Sequence, residues 1–150
     1  MIFEHTVIIE ASRDAVWAIL SDFPRAASLM PDAGEVRKSD DGGYEGTMRL
    51  RVGPIGLNLS GTVHVEQDDD VGTWSMKAGA RDRRIGGGFQ AQVDAVLKEL
   101  DGKTCELRVK ADIQLLGRLG QLGQPLIKRK AESTIRQFAE NLKAAVSASG

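Results

Sequence analysis

The sequence predicts an α+β domain in which a curved antiparallel sheet of about seven strands closes over one long C-terminal helix. Three features carry this. Helical signals follow the first strand, and an alternation of apolar and polar side chains then runs for roughly eighty residues. The chain finishes in a long apolar stripe at helical spacing. Because the strands run consecutively, hairpin connections dominate, which is the α+β rather than the α/β pattern.

In the first strand Phe3, Val7 and Ile9 alternate with Glu4, Thr6, Ile8 and Glu10. Ser12 then supplies a helix N-cap, and Asp14 in the first turn suits the helix dipole. Val16, Trp17, Leu20 and Phe23 continue at helical spacing. Pro24 breaks that helix or opens a second short one, which should run through Met30 and stop before Pro31. About six strands follow. Tyr44, Gly46, Met48, Leu50 and Val52 share one face of the first clear run, and Leu57, Leu59, Gly61, Val63 and Val65 share a face of the next. Trp74, Met76, Ala78 and Ala80 repeat the pattern, as do Phe89, Ala91, Val93, Ala95 and Leu97. Cys105, Leu107, Val109, Ala111, Ile113 and Leu115 complete it. Asp41-Gly-Gly, Gly53-Pro-Ile-Gly, Asp68-Asp-Asp, Gly86-Gly-Gly and Asp101-Gly mark the turns. Such clean alternation means one wet face and one covered face. The apolar stripe Leu119, Leu122, Leu126, Ile127, Ala131, Ile135, Phe138, Leu142 and Val146 is the one element large enough to cover it. Its helix should span about 25 residues, with 117–124 a looser lead-in turn.

Length and composition narrow the function. At 150 residues, 41% hydrophobic and 27% charged, the chain reads as a single globular domain over 1–150. Twenty Lys and Arg against 21 Asp and Glu argue against a nucleic-acid partner. No basic and apolar leader opens the chain, and no run reaches the roughly 18–20 apolar residues of a membrane span, so a cytoplasmic location is expected. The charge is unevenly spread. Residues 117–150 carry six basic and two acidic groups, which suits either a solvated helix face or an anionic partner, including peripheral contact with the inner face of the cell membrane. Arg81, Arg83 and Arg84 together with Lys128, Arg129 and Lys130 pose the same choice.

Catalytic chemistry finds few candidates, and no catalytic residue is assigned. His5 and His64 are the only histidines, too few for a metal site, and both read as surface or rim residues. Cys105 shares the parity of Leu107 and Val109 and reads as a small buried apolar residue rather than a nucleophile. Asp68, Asp69 and Asp70 lack the Gly and distal Glu of a calcium loop. The Gly86–Gly88 run lacks the Lys-Ser/Thr of a phosphate loop, and reads as a bulge or flexible hairpin. Neither cofactor nor metal is expected. Glycines 117, 120 and 123 allow close approach of a strand, a ligand or a partner.

A pocket is the positive expectation. Met48, Trp74, Met76, Phe89, Leu107 and Val109 should face Leu119, Leu122, Leu126 and Ile127 between sheet and helix. Tyr44, Leu59, Val63 and Val93 share those strand faces, and Gly123 lies on the approach to the helix. The small residues Gly46, Gly61, Ala78, Ala80 and Ala91 leave volume among them. Flexible methionines and flat aromatic rings in a wall with few polar groups suit a lipid- or quinone-like molecule. A directly packed, ligand-free core serving as an assembly module is the bland alternative. An enzyme on the same scaffold would need inward polar groups; the candidates are Tyr44, Arg49, His64 and Asp112, of which all but Tyr44 fall on the wet parity.

The order of elements, with certain residues in place, resembles the helix-grip superfamily of START-like and pollen-allergen-like (SRPBCC) domains. Within it the chain resembles the G-subunit family of carbon monoxide dehydrogenase. The residues that carry this are Ala15-Val-Trp17-Ala-Ile-Leu20-Ser-Asp22, Val52-Gly53-Pro54-Ile55, Gly61-Thr62-Val63 and Gly86-Gly-Gly-Phe-Gln-Ala. Most specific is Ala111-Asp112-Ile113 followed by Gly117-Arg118-Leu119-Gly120-Gln121-Leu122-Gly123-Gln124-Pro125. The loop Met30-Pro31-Asp32-Ala33-Gly34 departs from the Pro-Gly often found there. The resemblance implies a helix-grip fold and a non-enzymatic accessory to a molybdenum hydroxylase of the carbon monoxide dehydrogenase type, in membrane docking, assembly or electron-carrier delivery. A small cyclase or hydrolase on the same fold remains the alternative.

Overall fold

The computed structural model describes residues 1–149. Strand β1 (Ile2–Ile9) leads into helices α1 (Arg13–Leu20) and α2 (Phe23–Ala27). Strands β2 (Ala33–Lys38), β3 (Tyr44–Val52), β4 (Ile55–Asp68), β5 (Thr73–Asp82), β6 (Gly87–Asp101) and β7 (Thr104–Gly117) follow. A 3-10 turn (Arg118–Gln121) then leads into α3 (Gln124–Ser149). The seven strands form one antiparallel sheet in the order β1-β7-β6-β5-β4-β3-β2, a meander that β1 extends at the β7 edge.

Local chemistry sets the element ends. The Ser12 hydroxyl accepts from the Ala15 N–H at 3.2 Å, and the Asp22 carboxylate accepts from the Arg25 N–H at 3.4 Å, so each short helix has its N-cap. Helix α2 ends at Ala27, earlier than the expected Met30, because Leu29 and Met30 donate to Ala26 and Ala27 in tighter three-residue turns. The aspartates at 68–70 form a polar hairpin turn: Asp68 accepts from the Asp70 and Val71 N–H groups, and Asp69 accepts from the indole of Trp17 at 2.8 Å. Strand β2, unplaced by alternation, carries a register shift between Ala33 and Val36 that destroys its two-residue period.

Burial follows the expected parity along β3, β4, β6 and β7, and it divides the interior in two. One cluster joins β1, α1, the far ends of β6 and β7, and Ala139, Leu142 and Val146 of α3. Cys105 lies fully buried within it, and burial, with Glu99 nearby, pushes its thiol pKa up, so the residue is packing rather than nucleophile. The other cluster joins Val52, Leu57 and Leu59 to Leu119 and Ile127 at the opposite end. Between the two, the middle turns of α3 face the small residues of the sheet.

Asp82, only 3% exposed, is the one buried charged residue among those described. It pins the β5–β6 turn to β4 by accepting from the Asn58 N–H at 2.9 Å and from the Arg84 N–H at 2.9 Å. The Asn58 N–H above all, then the Arg84 and Ile85 N–H groups and the Arg84 guanidinium, hold its carboxyl below the usual range against the opposing effect of burial. A pKa lowered by folding means that protons bind the unfolded chain better. The stability it contributes is therefore present above the ordinary aspartate value of about 3.9 and is lost as pH falls through the folded value. Asp82→Asn is expected to flatten the acid limb of stability below about pH 4. The variant should also be less stable at neutral pH, because an amide NH₂ then faces backbone donors; urea unfolding at several pH values checks both.

Candidate functional site

A cavity of about 400 Å³ lies between the concave face of the sheet and α3, with α2 closing one side. It borders both core clusters, with Val7, Leu20, Leu107 and Ala139 from one and Val52, Leu57, Leu119 and Ile127 from the other. The space exists for a simple reason. Ala131, Thr134, Ile135 and Phe138 of α3 look across at Gly46, Gly61, Ala78, Ala80 and Ala91, which are too small to reach them. The wall is almost wholly apolar.

Twelve residues expected to face the pocket line this cavity: Tyr44, Met48, Leu59 and Val63 from β3 and β4; Trp74, Met76, Phe89 and Val93 from β5 and β6; and Leu107, Val109, Leu119 and Ile127. Leu122, Gly123 and Leu126 do not. A helical stripe continuous from Leu119 would place them inward, but Leu122 has extended backbone (φ −68°, ψ 145°) and α3 starts only at Gln124, which resets the phase. Leu122 and Leu126 pack on the Val52 cluster, Leu126 against Gly53. The Gly123 carbonyl accepts from the Leu126 and Ile127 N–H groups at 3.0 and 3.3 Å and so opens the helix.

Of the three closely spaced glycines only Gly117 is conformationally required. Its φ is +59°, and a Cβ there would stand 2.4 Å from the Gly86 carbonyl, whereas Gly120 and Gly123 have room. The Gly86–Gly88 run serves the same close approach from the other side: a Cβ on Gly87 would meet the Leu119 nitrogen at 2.7 Å.

Polar groups on the wall are few. His5, expected at the surface or rim, lines the cavity beside its β7 partner Val109. Its shared parity with Phe3 and Val7 is the sequence signal for this position. Asp32 and Lys130 also line the cavity, paired at 2.9 Å between the α2–β2 loop and α3. A second tie, from the Asn141 amide to the Leu29 carbonyl at 2.8 Å, holds the same loop to the helix. Phe23 covers Tyr44 and Trp74, with ring centroids 4.7 and 6.4 Å away.

The other polar candidates lie outside. Arg49 is exposed on β3. His64 and Asp112 border a shallow polar depression on the outer face of the sheet, over Gly79. The His64 ring sits 3.1 Å from Asp41, whose carboxyl is held down at about 2 by Ser39, the Gly43 N–H and His64. Among the described residues no His, Cys, Asp and Glu side chains cluster as metal ligands, and no helix is long and apolar enough to cross a membrane.

Residues 6–147 match the family of the carbon monoxide dehydrogenase G subunit, CoxG. The chain belongs to that family. None of the curated proteins matches it by sequence. Solved structures place this CoxG chain on a START-like, helix-grip fold. A conserved protein from Geobacillus kaustophilus superposes with a TM-score of 0.88 at 11% identity, over 99% of this chain and 97% of that one. A START superfamily protein from Mycobacterium smegmatis gives 0.67 at 16% identity, covering 99% of each chain. The Zhui aromatase/cyclase from Streptomyces sp. R1128 gives 0.65 at 17% identity, over 97% and 90%. At these identities the likeness concerns the fold alone, and a fold does not by itself decide whether its bearer is an enzyme.

Proposed function

We propose that this CoxG family member binds a hydrophobic, lipid- or quinone-like small molecule between the sheet and the C-terminal helix, without catalysing a reaction on it. In this role it serves a molybdenum hydroxylase of the carbon monoxide dehydrogenase type, in membrane docking, in assembly, or as the carrier that delivers its electron acceptor. The observation that carries the binding role is the cavity: about 400 Å³, nearly all apolar, held open by small residues that oppose the middle of α3. A volume of that size, at about 30 Å³ per water, equals on the order of a dozen waters, and few polar groups are present to hold them. Apolar cargo is the occupant that such a wall favours. The family membership supports the accessory role.

The test is native mass spectrometry of freshly purified protein, followed by organic extraction of whatever it carries. The expected result is a prenylated or acyl molecule at one per chain. An empty protein that also shows no saturable binding of menaquinone or ubiquinone analogues would sink the proposal.

A second reading has one observation in its favour. His5 and Tyr44 both reach the cavity wall, and a cyclase-type enzyme would use such groups for proton transfer. It predicts that bound cargo leaves chemically changed, and that His5→Phe stops the change without weakening binding.

A further inference from the structure

One wall of the cavity is built differently from the rest. The floor is a continuous hydrogen-bonded sheet, and the two ends are the buried clusters around Leu142 and Leu119. The remaining side is the segment 23–33, formed by α2 and the α2–β2 loop, which brings Phe23, Ala26, Ala27 and Met30 to the lining. None of these four belongs to either cluster. The segment is a single layer: Ala26 and Ala27 are buried, while Pro24, Arg25, Ser28 and Pro31 stand exposed. Polar ties hold its rim. The Gln67 amide donates to the Ser21 carbonyl at 3.3 Å, the Asn141 amide to the Leu29 carbonyl at 2.8 Å, and the Arg49 N–H to the Asp32 carbonyl at 3.1 Å. Among the described residues, two buried side-chain polar atoms make no hydrogen bond, the Trp74 indole nitrogen and Asp32 Oδ2. Both belong to this side. Trp74 lies under the Phe23 ring, and Asp32 Oδ2 has the Lys130 ammonium at 2.9 Å without an aligned hydrogen bond.

We propose that segment 23–33 is the gate of the cavity, lifting from α3 to admit and release apolar cargo. The gate presupposes the binding role proposed above and gives that role its route of entry. Opening at either end would pull apart fully buried side chains such as Leu142 or Leu119, and opening through the sheet would break ladder hydrogen bonds. Lifting 23–33 uncovers two alanines and the half-buried Phe23 and Met30, so it sacrifices much less apolar burial. The closed position also carries a penalty of its own. A buried N–H without an acceptor disfavours the state that buries it, and moving Phe23 aside gives the Trp74 indole access to water. The break in register between Ala33 and Val36 supplies a hinge, because the ladder to β3 is regular only from Val36 onward. Closure then depends on the rim ties, which are polar and lie at the edge of the cavity rather than in its apolar wall.

Stopped-flow mixing with a naphthylamine fluorophore tests it. Asn141→Ala cuts one rim tie at a residue that does not line the cavity. Its association and dissociation rate constants should both rise about threefold or more while the dissociation constant stays within about twofold, since a gate alters passage and not the bound state. Val146→Ala loosens the cluster around Leu142, also away from the lining, and should leave both rates at the parent values. Joining Asp32→Cys to Lys130→Cys with a short bis-maleimide should slow uptake at least about tenfold, whereas the same variant capped with N-ethylmaleimide keeps it. The native Cys105 is fully buried and stays unlabelled. Hydrogen exchange at the two indole N–H groups, followed by NMR, gives a readout without cargo. Asn141→Ala should speed exchange at Trp74 and not at Trp17, whose indole donates to Asp69. Uptake indifferent to Asn141→Ala or to the link, or equally accelerated by Val146→Ala, overturns the gate and leaves the cavity as a binding site. A parent protein that takes up no fluorophore overturns the binding role instead, and unaltered Trp74 exchange in Asn141→Ala then overturns the gate as well.

Discussion

Replacing Ala91 by Phe is expected to abolish uptake of apolar molecules while leaving the fold intact. Ala91 sits inward on β6, opposite Ala78 on β5 and Ile113 on β7, and all three line the cavity. A void of about 150 Å³ accommodates a benzene molecule, so a new phenyl ring takes a large share of the space that cargo would fill. A two-ring aromatic probe buries on the order of 250 Å² of apolar surface, by comparison with a tryptophan side chain. At ~25 cal/mol per Å² that is roughly 6 kcal/mol, or a dissociation constant in the tens of micromolar. Titration with a naphthylamine fluorophore therefore needs micromolar protein, and the variant should bind at least about tenfold more weakly. Its melting temperature should stay within a few degrees of the parent or rise, because the ring enters empty apolar space rather than a packed core. Unchanged probe affinity in a folded variant would place apolar binding somewhere other than this cavity.

The fold was readable where side-chain period tracks backbone geometry. Leu57, Leu59, Gly61 and Val63 alternate because β4 has one covered face, and Ala139, Leu142 and Val146 repeat because α3 presses one stripe on the sheet. The wall of the cavity came with the strand faces, since parity alone decides whether Met48 or Arg49 points inward. What stayed hidden depends on distant partners or on a break in period. Strand β2 lost its alternation to a bulge, and the extended backbone at Leu122 rotated Leu126 away from the stripe that Ile127 continues. Asp32 and Lys130 meet only after the α2–β2 loop folds against α3, which no local pattern announces.

The glycines of the inner face have a second role that volume alone does not explain, and Gly61→Ala should expose it. Gly46 and Gly61 are register partners on β3 and β4, and Gly61 faces Ala80 on β5. A Cβ at Gly61 would stand 1.9 Å from the Gly79 carbonyl and 2.7 Å from the Ala80 Cα. A Cβ at Gly88, on β6 beyond β5 and paired with Arg81, would stand 2.1 Å from the Ala80 carbonyl. These obstructions are backbone, which cannot rotate aside as a flexible side-chain end can. They mark a crease where neighbouring strands come too close for any side chain, the kind of place where a glycine inside a strand lets a sheet curve. Without the crease, β3 and β4 would splay from α3, and the wall that encloses the cavity would open. Gly61→Ala is therefore expected to cost on the order of 3 kcal/mol or more, far above the usual effect of adding one methyl group. For a domain of this size that is a fall in melting temperature of roughly 6 to 12 °C. Ala78→Gly nearby removes a methyl group from the same wall without touching the crease, and should lower the melting temperature much less. Scanning calorimetry of the two variants separates the explanations: if Gly61 only makes room for cargo, its alanine variant will melt with the parent and differ from it only in probe binding.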